Sequence, residues 1–277
     1  VIGRSLLPLN GRRMIEFWQD LTTTEFEGLD PMSTLALLPV AAIEQHGPHL
    51  PLSTDLIINR GIVHEAITRL APGVRVLVLP EQAIGDSVEH TAFPGTLSLQ
   101  PELLLALWAD IGRGVTRTGL RKLVILNSHG GQVGLVDQAA LRLRAEEHML
   151  VIRANYFTFG TPDGLFDHDE LANGLHGGEL ETSMMLHLRP DLVRHEALQN
   201  FAPPAAKPAS LLGPEQPVGY AWMSQDLNPA GVVGNAARAD AVRGSQLLDH
   251  LGSCLAALLY EAAAMPLTGL KNGPIEP

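Results

Sequence analysis

The sequence alternates short apolar runs with longer segments of helical periodicity, and this alternation constrains the fold more than any other feature. The run Leu35–Val40 contains no polar side chain, and apolar residues at helical spacing follow it over residues 55–70. An apolar run of that length suits a strand buried on both faces. Further runs and helical patterns follow in turn, over residues 74–79, 101–117, 123–126, 133–147 and 149–152. The pattern therefore predicts βαβ units and an α/β fold around a largely parallel sheet.

The last third of the chain is less regular. A helical pattern spans residues 177–188, a proline-rich polar segment covers residues 200–230, and a long apolar helical pattern covers residues 236–265. No internal repeat, low-complexity tract or linker divides the sequence, and 277 residues are within the size of one large α/β domain. We therefore expect a single domain over residues 1–277.

The charge balance restricts the partners. The 30 acidic and 19 basic residues give a formal net charge of −11. Nucleic acid and anionic membranes select basic surfaces, so neither is an expected partner. No apolar stretch reaches the roughly 18 residues of a membrane span, and the N-terminal segment lacks a signal-peptide pattern, so we expect a cytoplasmic protein. Cys254 is the one cysteine, so a metal site would use histidines and carboxylates rather than thiolates.

Histidine and carboxylate residues follow the predicted strands where the strands end. Glu44 and His46 come soon after the first strand, two residues apart, so in an extended segment their side chains point to the same side. Asp55 returns after a short loop, and His129 closely follows the third strand. Ligands of open parallel sheets bind at this carboxyl edge. Imidazole and carboxylate groups converging there predict a site for a divalent ion of the Zn, Mn or Fe type.

Two other clusters leave their chemistry open at this point. Gly130 and Gly131 could form an anion-binding turn at a helix start, or could clear space for His129 to reach a metal. Glu179 and Glu181 lie in the first turn of a predicted helix, where acidic side chains also interact favourably with the helix N-terminus. Two residues apart on a helix, they point in different directions, so at most one would bind a metal directly.

Taken in chain order, four sequence blocks resemble the creatininase family of metal-dependent amidohydrolases. They are E-x-H-G-x-H-L-P-x-x-x-D at residues 44–55, E-H-x-x-F-P-G-T at 89–96, N-x-H-G-G at 127–131 and H-G-G-E-x-E-T-S at 176–183. Each block alone is a weak signal, but the four together, in the order and spacing of the family, are specific. The resemblance covers residues 35–190.

The resemblance implies a three-layer α/β/α fold with a mostly parallel central sheet, often assembled as a homohexamer. It also implies two divalent metal ions (Zn, Mn or Fe) per subunit. Carried onto this chain, Glu44 and His129 would bind one ion. His46 and Glu179 would bind the other, and Asp55 would bridge both.

One ligand differs from that of creatininase itself. There a carboxylate stands two residues after the histidine of the third block, where this chain has Gly131. Glu179 is the expected replacement, and Glu181 is its rival. Residues 155–175 also contain no tryptophan, whereas creatininase encloses its small ring with tryptophans. The resemblance therefore points to a member of the family other than creatininase.

The resemblance also assigns chemistry to individual side chains. His176 and Glu179 would be catalytic, with His176 donating a proton to the leaving nitrogen. The substrate-binding candidates are His49, His90, Ser128, Gly130, Gly131 and Gln132. The implied activity is hydrolysis of a non-peptide C–N bond, in an amide, lactam or formamide of small size, by a metal-activated water.

Two other classes of function compete with this hypothesis. A non-catalytic ligand-binding or assembly protein could keep the same fold. A metal-assisted isomerase or lyase could use the same cations without net hydrolysis. Metal content distinguishes the non-catalytic protein from a metal-dependent enzyme. The mass of the product distinguishes an isomerase or lyase from a hydrolase, because hydrolysis adds one water to the substrate.

Overall fold

The computed structural model describes residues 15–202, 211–214 and 218–273. Its centre is a five-stranded sheet of order β1-β3-β2-β4-β5, in which every neighbouring pair is parallel. The strands are β1 Ile15–Phe17, β2 Thr34–Val40, β3 Arg75–Val78, β4 Lys122–Asn127 and β5 Leu150–Asn155. A separate pair of two-residue strands, β6 Leu212–Gly213 and β7 Val218–Gly219, also runs parallel.

Helices cover both faces of the central sheet. They are α1 Thr23–Phe26, α2 Thr54–Arg69, α3 Pro101–Arg117, α4 Val133–Glu147, α5 His168–Asn173, α6 Glu179–Leu188, α7 Ser224–Leu227 and α8 Ala241–Ala264. Successive residues of a strand point to opposite faces, so Leu37 joins the core beneath α2, α6 and α8, while Leu38 joins the core beneath α3 and α4. Both cores are closed by helices, and this is the three-layer α/β/α arrangement that the family resemblance implies.

The predicted elements agree closely with the observed ones where the apolar pattern is strongest. The helices predicted over 101–117 and 133–147 have those bounds in the structure. Three local features differ from prediction. The edge strand β1 was not anticipated, the irregular segment 155–175 contains α5, and the last helix begins at Ala241 rather than at residue 236. Asp240 sets that start, because its carboxylate accepts a hydrogen bond from the backbone N–H of Arg243 at 2.9 Å.

Helix α8 has 24 residues, and by length and composition alone it could cross a membrane. Its apolar face packs against α2 and α6, with Leu247, Leu251 and Leu255 almost fully buried. A core helix meets the same length and hydropathy criteria, so α8 is weak evidence for a membrane span.

The strand register brings the candidate residues to one edge of the sheet. Val40 at the end of β2 is opposite Asn127 at the end of β4. The segments that follow these two strands therefore emerge side by side. The side chain of Asn59, on α2, ties the two ends together by donating hydrogen bonds to the carbonyl oxygens of Val40 and Leu126, each at 3.1 Å.

Candidate metal centre

Asp55 is brought to the end of β2 by a tight loop. The chain reverses at Gly47, whose positive φ of 69° favours glycine, and the backbone N–H of Glu44 donates to the carbonyl of Leu52 at 3.0 Å. Asp55 then lies in the first turn of α2. The loop therefore returns its carboxylate to the segment that carries Glu44 and His46.

The two oxygens of Asp55 face two different histidines. Oδ1 lies 3.2 Å from Nε2 of His46, and Oδ2 lies 3.4 Å from Nδ1 of His129. Glu44 completes one side, with its Oε1 atom 3.1 Å from Nδ1 of His129. All four side chains are at most 3% exposed, so the cluster is shielded from water.

The outer nitrogens of the two histidines are held by backbone carbonyls. His46 donates from Nδ1 to the carbonyl of Glu44 at 3.2 Å, and His129 donates from Nε2 to the carbonyl of Asp86 at 2.7 Å. With those nitrogens protonated, the inner nitrogens have lone pairs that face the carboxylates. Metal-binding histidines characteristically have this arrangement, since the outer hydrogen bond fixes the tautomer and the ring orientation.

Glu181 completes the other side of the cluster. Its Oε2 atom lies 4.0 Å from Nε2 of His46 and accepts a hydrogen bond from the backbone N–H of Gly177 at 2.6 Å. The hydroxyl of Tyr156 donates to its Oε1 atom at 3.3 Å. The carboxylate is thus fixed between the loop before α6 and the end of β5.

The structure does not support Glu179 as a metal ligand or a catalytic group. Its carboxylate forms an ion pair with the guanidinium of Arg243 and lies 3.7 Å from Nε of Arg238. Two residues along a helix correspond to a rotation of about 200°, so Glu179 faces α8 when Glu181 faces the cluster. Of the two rivals considered from the sequence, Glu181 is the one that reaches His46 and Asp55.

His90 and His176 lie in the cluster beside Glu44. Their rings stack with centroids 4.3 Å apart. His176 donates from Nε2 to the carbonyl of Gln45 at 2.8 Å, so its Nδ1 lone pair faces Oε1 of Glu44 at 3.9 Å. Burial lowers the pKa of His176, and it lowers the pKa of His90 to about 2. Both rings are therefore neutral at pH 7, and His176 presents an open nitrogen to the site.

The carboxylates and histidines of the cluster are close enough to shift one another's pKa values. Burial lowers the pKa of His46, but the carboxylates of Asp55, Glu181 and Glu44 outweigh it and raise that pKa to about 9. Burial has the same effect on His129, and Glu44 and Asp55 outweigh it, so the pKa of His129 is also raised. The carboxylates thus attract positive charge to the inner nitrogens, which a divalent cation would supply in place of protons.

Several buried donor atoms of the cluster fit a cation. Oε2 of Glu44, Nε2 of His46 and Oδ2 of Asp55 have no hydrogen-bond partner within the described part of the chain. Buried polar atoms are usually paired, so these three indicate a missing partner. Three groups of donor atoms each lie within 4.8 Å of one another: Glu44, His46 and His176; Glu44, Glu89 and His129; and His46, Asp55 and Glu181. Nitrogen and oxygen donors of these types suit Zn, Mn or Fe.

Three of the predicted substrate-binding residues form hydrogen bonds within the protein. His49 bonds through Nε2 to the carbonyl of Gly177 at 3.0 Å. The hydroxyl of Ser128 accepts from Asn59 at 3.1 Å. The fully buried amide of Gln132 donates to Oδ1 of Asn127 at 2.9 Å. These side chains hold the segments that carry the cluster.

His90, Gly130 and Gly131 remain candidates for substrate contact. The Nε2 atom of His90 lies 3.6 Å from Oε1 of Glu44. The two glycines are exposed at the start of the short turn before α4. Among the residues that sequence reasoning missed is Glu89, whose Oε1 atom lies 3.5 Å from Nε2 of His129. It opens the E-H-x-x-F-P-G-T block, and a carboxylate next to a histidine was the available signal.

The fold and this cluster together define an α/β protein with a candidate metal centre at the carboxyl edge of a parallel sheet. Its donors are imidazole and carboxylate groups, which are common ligands of hydrolytic metal centres. The chain belongs to the creatininase family, because the family model described as creatinine amidohydrolase matches residues 19–259. The resemblance seen in the four sequence blocks is thereby confirmed.

Curated relatives include both peptidases and an amidohydrolase. The mycofactocin precursor peptide peptidase of Mycobacterium ulcerans (strain Agy99) is 35% identical over 222 residues, which cover 78% of this chain and 80% of that protein. The creatinine amidohydrolase of Pseudomonas putida is 30% identical over 222 residues, covering 73% of this chain and 82% of that protein. A family member other than creatininase fits these findings.

Solved creatininase structures share the fold. One described as a crystal structure of creatinine amidohydrolase (creatininase) superposes with a TM-score of 0.70 at 27% identity, covering 88% of this chain and 96% of that chain. Another, described as Creatininase Mn, has a TM-score of 0.70 at 26% identity and covers 88% of this chain and 97% of that one.

Proposed function

We propose that this protein hydrolyses a C–N bond of an amide-type substrate with two divalent metal ions (Zn, Mn or Fe) per subunit. The observation that carries the proposal is the placement of Asp55, whose two oxygens face His46 at 3.2 Å and His129 at 3.4 Å. A carboxylate so placed can bridge two cations, the arrangement that two-metal hydrolases use. Membership of a hydrolase family supports the same reaction class.

The ligand roles follow from the distances. Glu44 and His129 would hold one ion, and His46 and Glu181 would hold the other. Asp55 would contact both. Two such ions, when bound, polarise the scissile carbonyl and lower the pKa of water towards about 7.

His176 would carry the proton in this reaction. Its outer nitrogen is fixed on the carbonyl of Gln45, and its inner nitrogen is open towards Glu44. A neutral imidazole held in this way can take a proton from the attacking water and pass it to the leaving nitrogen. His90 stacks on the His176 ring and would restrict its rotation.

The substrate class has two candidates. The first is a small non-peptide amide, lactam or formamide, in keeping with the sequence blocks. The second is an amide bond within a peptide, and the relatives favour it, because the peptidase of M. ulcerans is 35% identical and the creatinine amidohydrolase of P. putida 30%. For the assembly we propose a cytoplasmic homohexamer in which residues 1–277 of each chain form one domain.

Metal content and product mass test the proposal. We expect two ions per chain after loading with Zn²⁺ or Mn²⁺, measured by inductively coupled plasma mass spectrometry. Asp55→Asn should lose both ions and the activity, whereas Asn in place of the exposed Asp191 should retain both. The substrate panel contains small amides, formamides and short peptides, and each product should gain one water.

Three results would contradict the proposal. Fewer than about one tightly bound ion per chain would favour a non-catalytic ligand-binding or assembly protein. A product that gains no water would favour an isomerase or lyase. Activity that survives Asp55→Asn would remove the bridging role from Asp55.

A further inference from the structure

The carboxylate of Glu89 lies beside His129 and His90, and the proposed function gives it no role. Glu89 belongs to a short 3-10 turn, Val88–His90, in the connection after β3. Its Oε1 atom lies 3.5 Å from Nε2 of His129 and 3.8 Å from Nε2 of His90, and the residue is 14% exposed. One donor atom each of Glu89, Glu44 and His129 lie within 4.8 Å of one another. Glu89 is thus near enough to share a cation with them.

The surroundings of Glu89 also favour a cation. Its side chain is mostly buried, and a carboxylate oxygen of Glu44 lies within 4.8 Å of its own donor atom. A carboxylate mostly removed from water beside other acids is unfavourable unless positive charge compensates it. A cation bound between Glu89 and Glu44 would supply that charge.

Gly131 explains why Glu89 can occupy this position. A Cβ atom at residue 131 would lie 1.9 Å from Oε1 of Glu89 and 2.7 Å from Nε2 of His129. Any side chain there would displace the Glu89 carboxylate. By contrast, a Cβ atom at Gly134 would have no neighbour within 4 Å. The space beside His129 that residue 131 leaves empty is therefore filled by an acid from a different loop.

We propose that Glu89 is a protein ligand of the ion held by Glu44 and His129, and that Gly131 is required because it leaves room for that carboxylate. This inference rests on the proposed function. It adds a sixth residue, from the connection after β3, to a centre otherwise built from the segments after β2 and β4 and the starts of α2 and α6.

Cobalt binding tests the assignment without relying on turnover. Purified metal-free protein is titrated with Co²⁺ against a chelator, and the visible absorption bands report each occupied site. For Glu89→Gln we expect one of the two ions to bind at least about tenfold more weakly and its absorption band to shift, with the other ion unaffected. Gly131→Ala should weaken the same ion, because its methyl group displaces Glu89. Gly134→Ala is the matched control and should bind both ions as the unmodified chain does.

The outcomes separate this inference from the proposed function. Unchanged affinity and absorption in both Glu89→Gln and Gly131→Ala would overturn the role of Glu89. If at the same time Asp55→Asn loses both ions, the two-metal centre stands and only the Glu89 assignment fails. If the unmodified chain binds no Co²⁺, the proposed function fails with it. Circular dichroism checks folding, and should Glu89→Gln not fold, Glu89→Asp, which shortens the side chain by one methylene, should weaken the same ion; unchanged binding in that variant would overturn the role of Glu89.

Discussion

The buried carboxylate of Glu179 forms an ion pair with the guanidinium of Arg243, which projects from the first turn of α8. This pair joins the start of α6 to the start of α8 rather than contributing to the metal cluster. Glu181, two residues further along α6, lies beside His46 and Asp55 in the candidate metal centre. Two acids of one sequence block, two residues apart, thus lie in different places: Glu179 in an ion pair between helices and Glu181 in the candidate metal centre.

Substitution of these two acids should separate stability from metal binding. Glu179→Gln leaves the partly exposed Arg243 without its ion-pair partner, and should lower the free energy of unfolding by about 2 kcal/mol while retaining both ions. Glu181→Gln should weaken binding of the His46-side ion at least about tenfold. Urea denaturation and metal titration of both variants measure the two effects. Loss of metal in Glu179→Gln with retention in Glu181→Gln would reverse the assignment.

Glu170 positions the loop before α6. Its Oε1 atom accepts from the backbone N–H of Glu179 at 2.7 Å, and its Oε2 atom accepts from the N–H of Asn235 at 2.8 Å. In Glu170→Gln the amide NH₂ would face one of these donors, so we expect a loss of about 1–3 kcal/mol in unfolding free energy. Turnover should fall while metal content is retained, because His176 lies on this loop. Asp169→Asn, at the exposed neighbouring residue, is the control. Wild-type stability in Glu170→Gln would refute the role.

His176→Ala should retain both ions and lose most of the turnover, by about 10²–10⁴-fold. The reason is that His176 faces Glu44 with an unprotonated nitrogen, at a longer distance than His129 does. Steady-state kinetics and metal analysis on the same preparation measure the two effects. His187→Ala, at an exposed residue of α6, controls for loss of a histidine. Loss of an ion in His176→Ala would make His176 a ligand.

His49 should make stability depend on pH in the acid range. Burial lowers its pKa from 6.5 to about 4, so the unfolded chain binds a proton there before the folded chain does. Stability from this group is therefore present above pH 6.5 and is lost as the pH falls to about 4. His49→Gln should lack this contribution.

Urea denaturation at several pH values measures the contribution of His49. The stability difference between the unmodified chain and His49→Gln should shrink by about 1–3 kcal/mol between pH 7 and pH 4. His64→Gln, at an exposed residue of α2, is the control, and the difference in unfolding free energy between it and the unmodified chain should not shrink in this way. A difference that is constant with pH would show that His49 is charged in the folded protein as readily as in the unfolded one.

Sequence reasoning predicted the parts of this fold that depend on local patterns. Leu35–Val40 is apolar throughout and forms a strand buried on both faces. Pro101 begins α3, as its fixed φ and missing N–H favour. Glu44 and His46 were expected on one side because they alternate along an extended segment. The edge strand Ile15–Phe17 escaped prediction because three residues carry too little pattern to distinguish a strand.

The contacts of single side chains were predicted less well. Gln132 and Ser128 were expected to contact substrate, which stays a prediction, and the structure shows that they also bond to Ala41 and Asn59, on distant segments of the chain. Glu89 was passed over because its nearness to His129 spans 40 positions of sequence. Such contacts depend on how the loops cross, which no local pattern specifies.

The sequence by itself determined the order of the four longer strands and the long helices, the family, and the supply of imidazole and carboxylate groups at the strand ends. These follow from the alternation of apolar runs, from the four sequence blocks and from a single cysteine among 277 residues. Only the tertiary structure decided which acids converge. Arg243 pairs with Glu179 and leaves Glu181 beside His46, while the absent side chain of Gly131 admits Glu89 beside His129. The physical reason is that helix packing and loop crossings, set by the whole core, bring charges from distant positions within a few ångströms of each other.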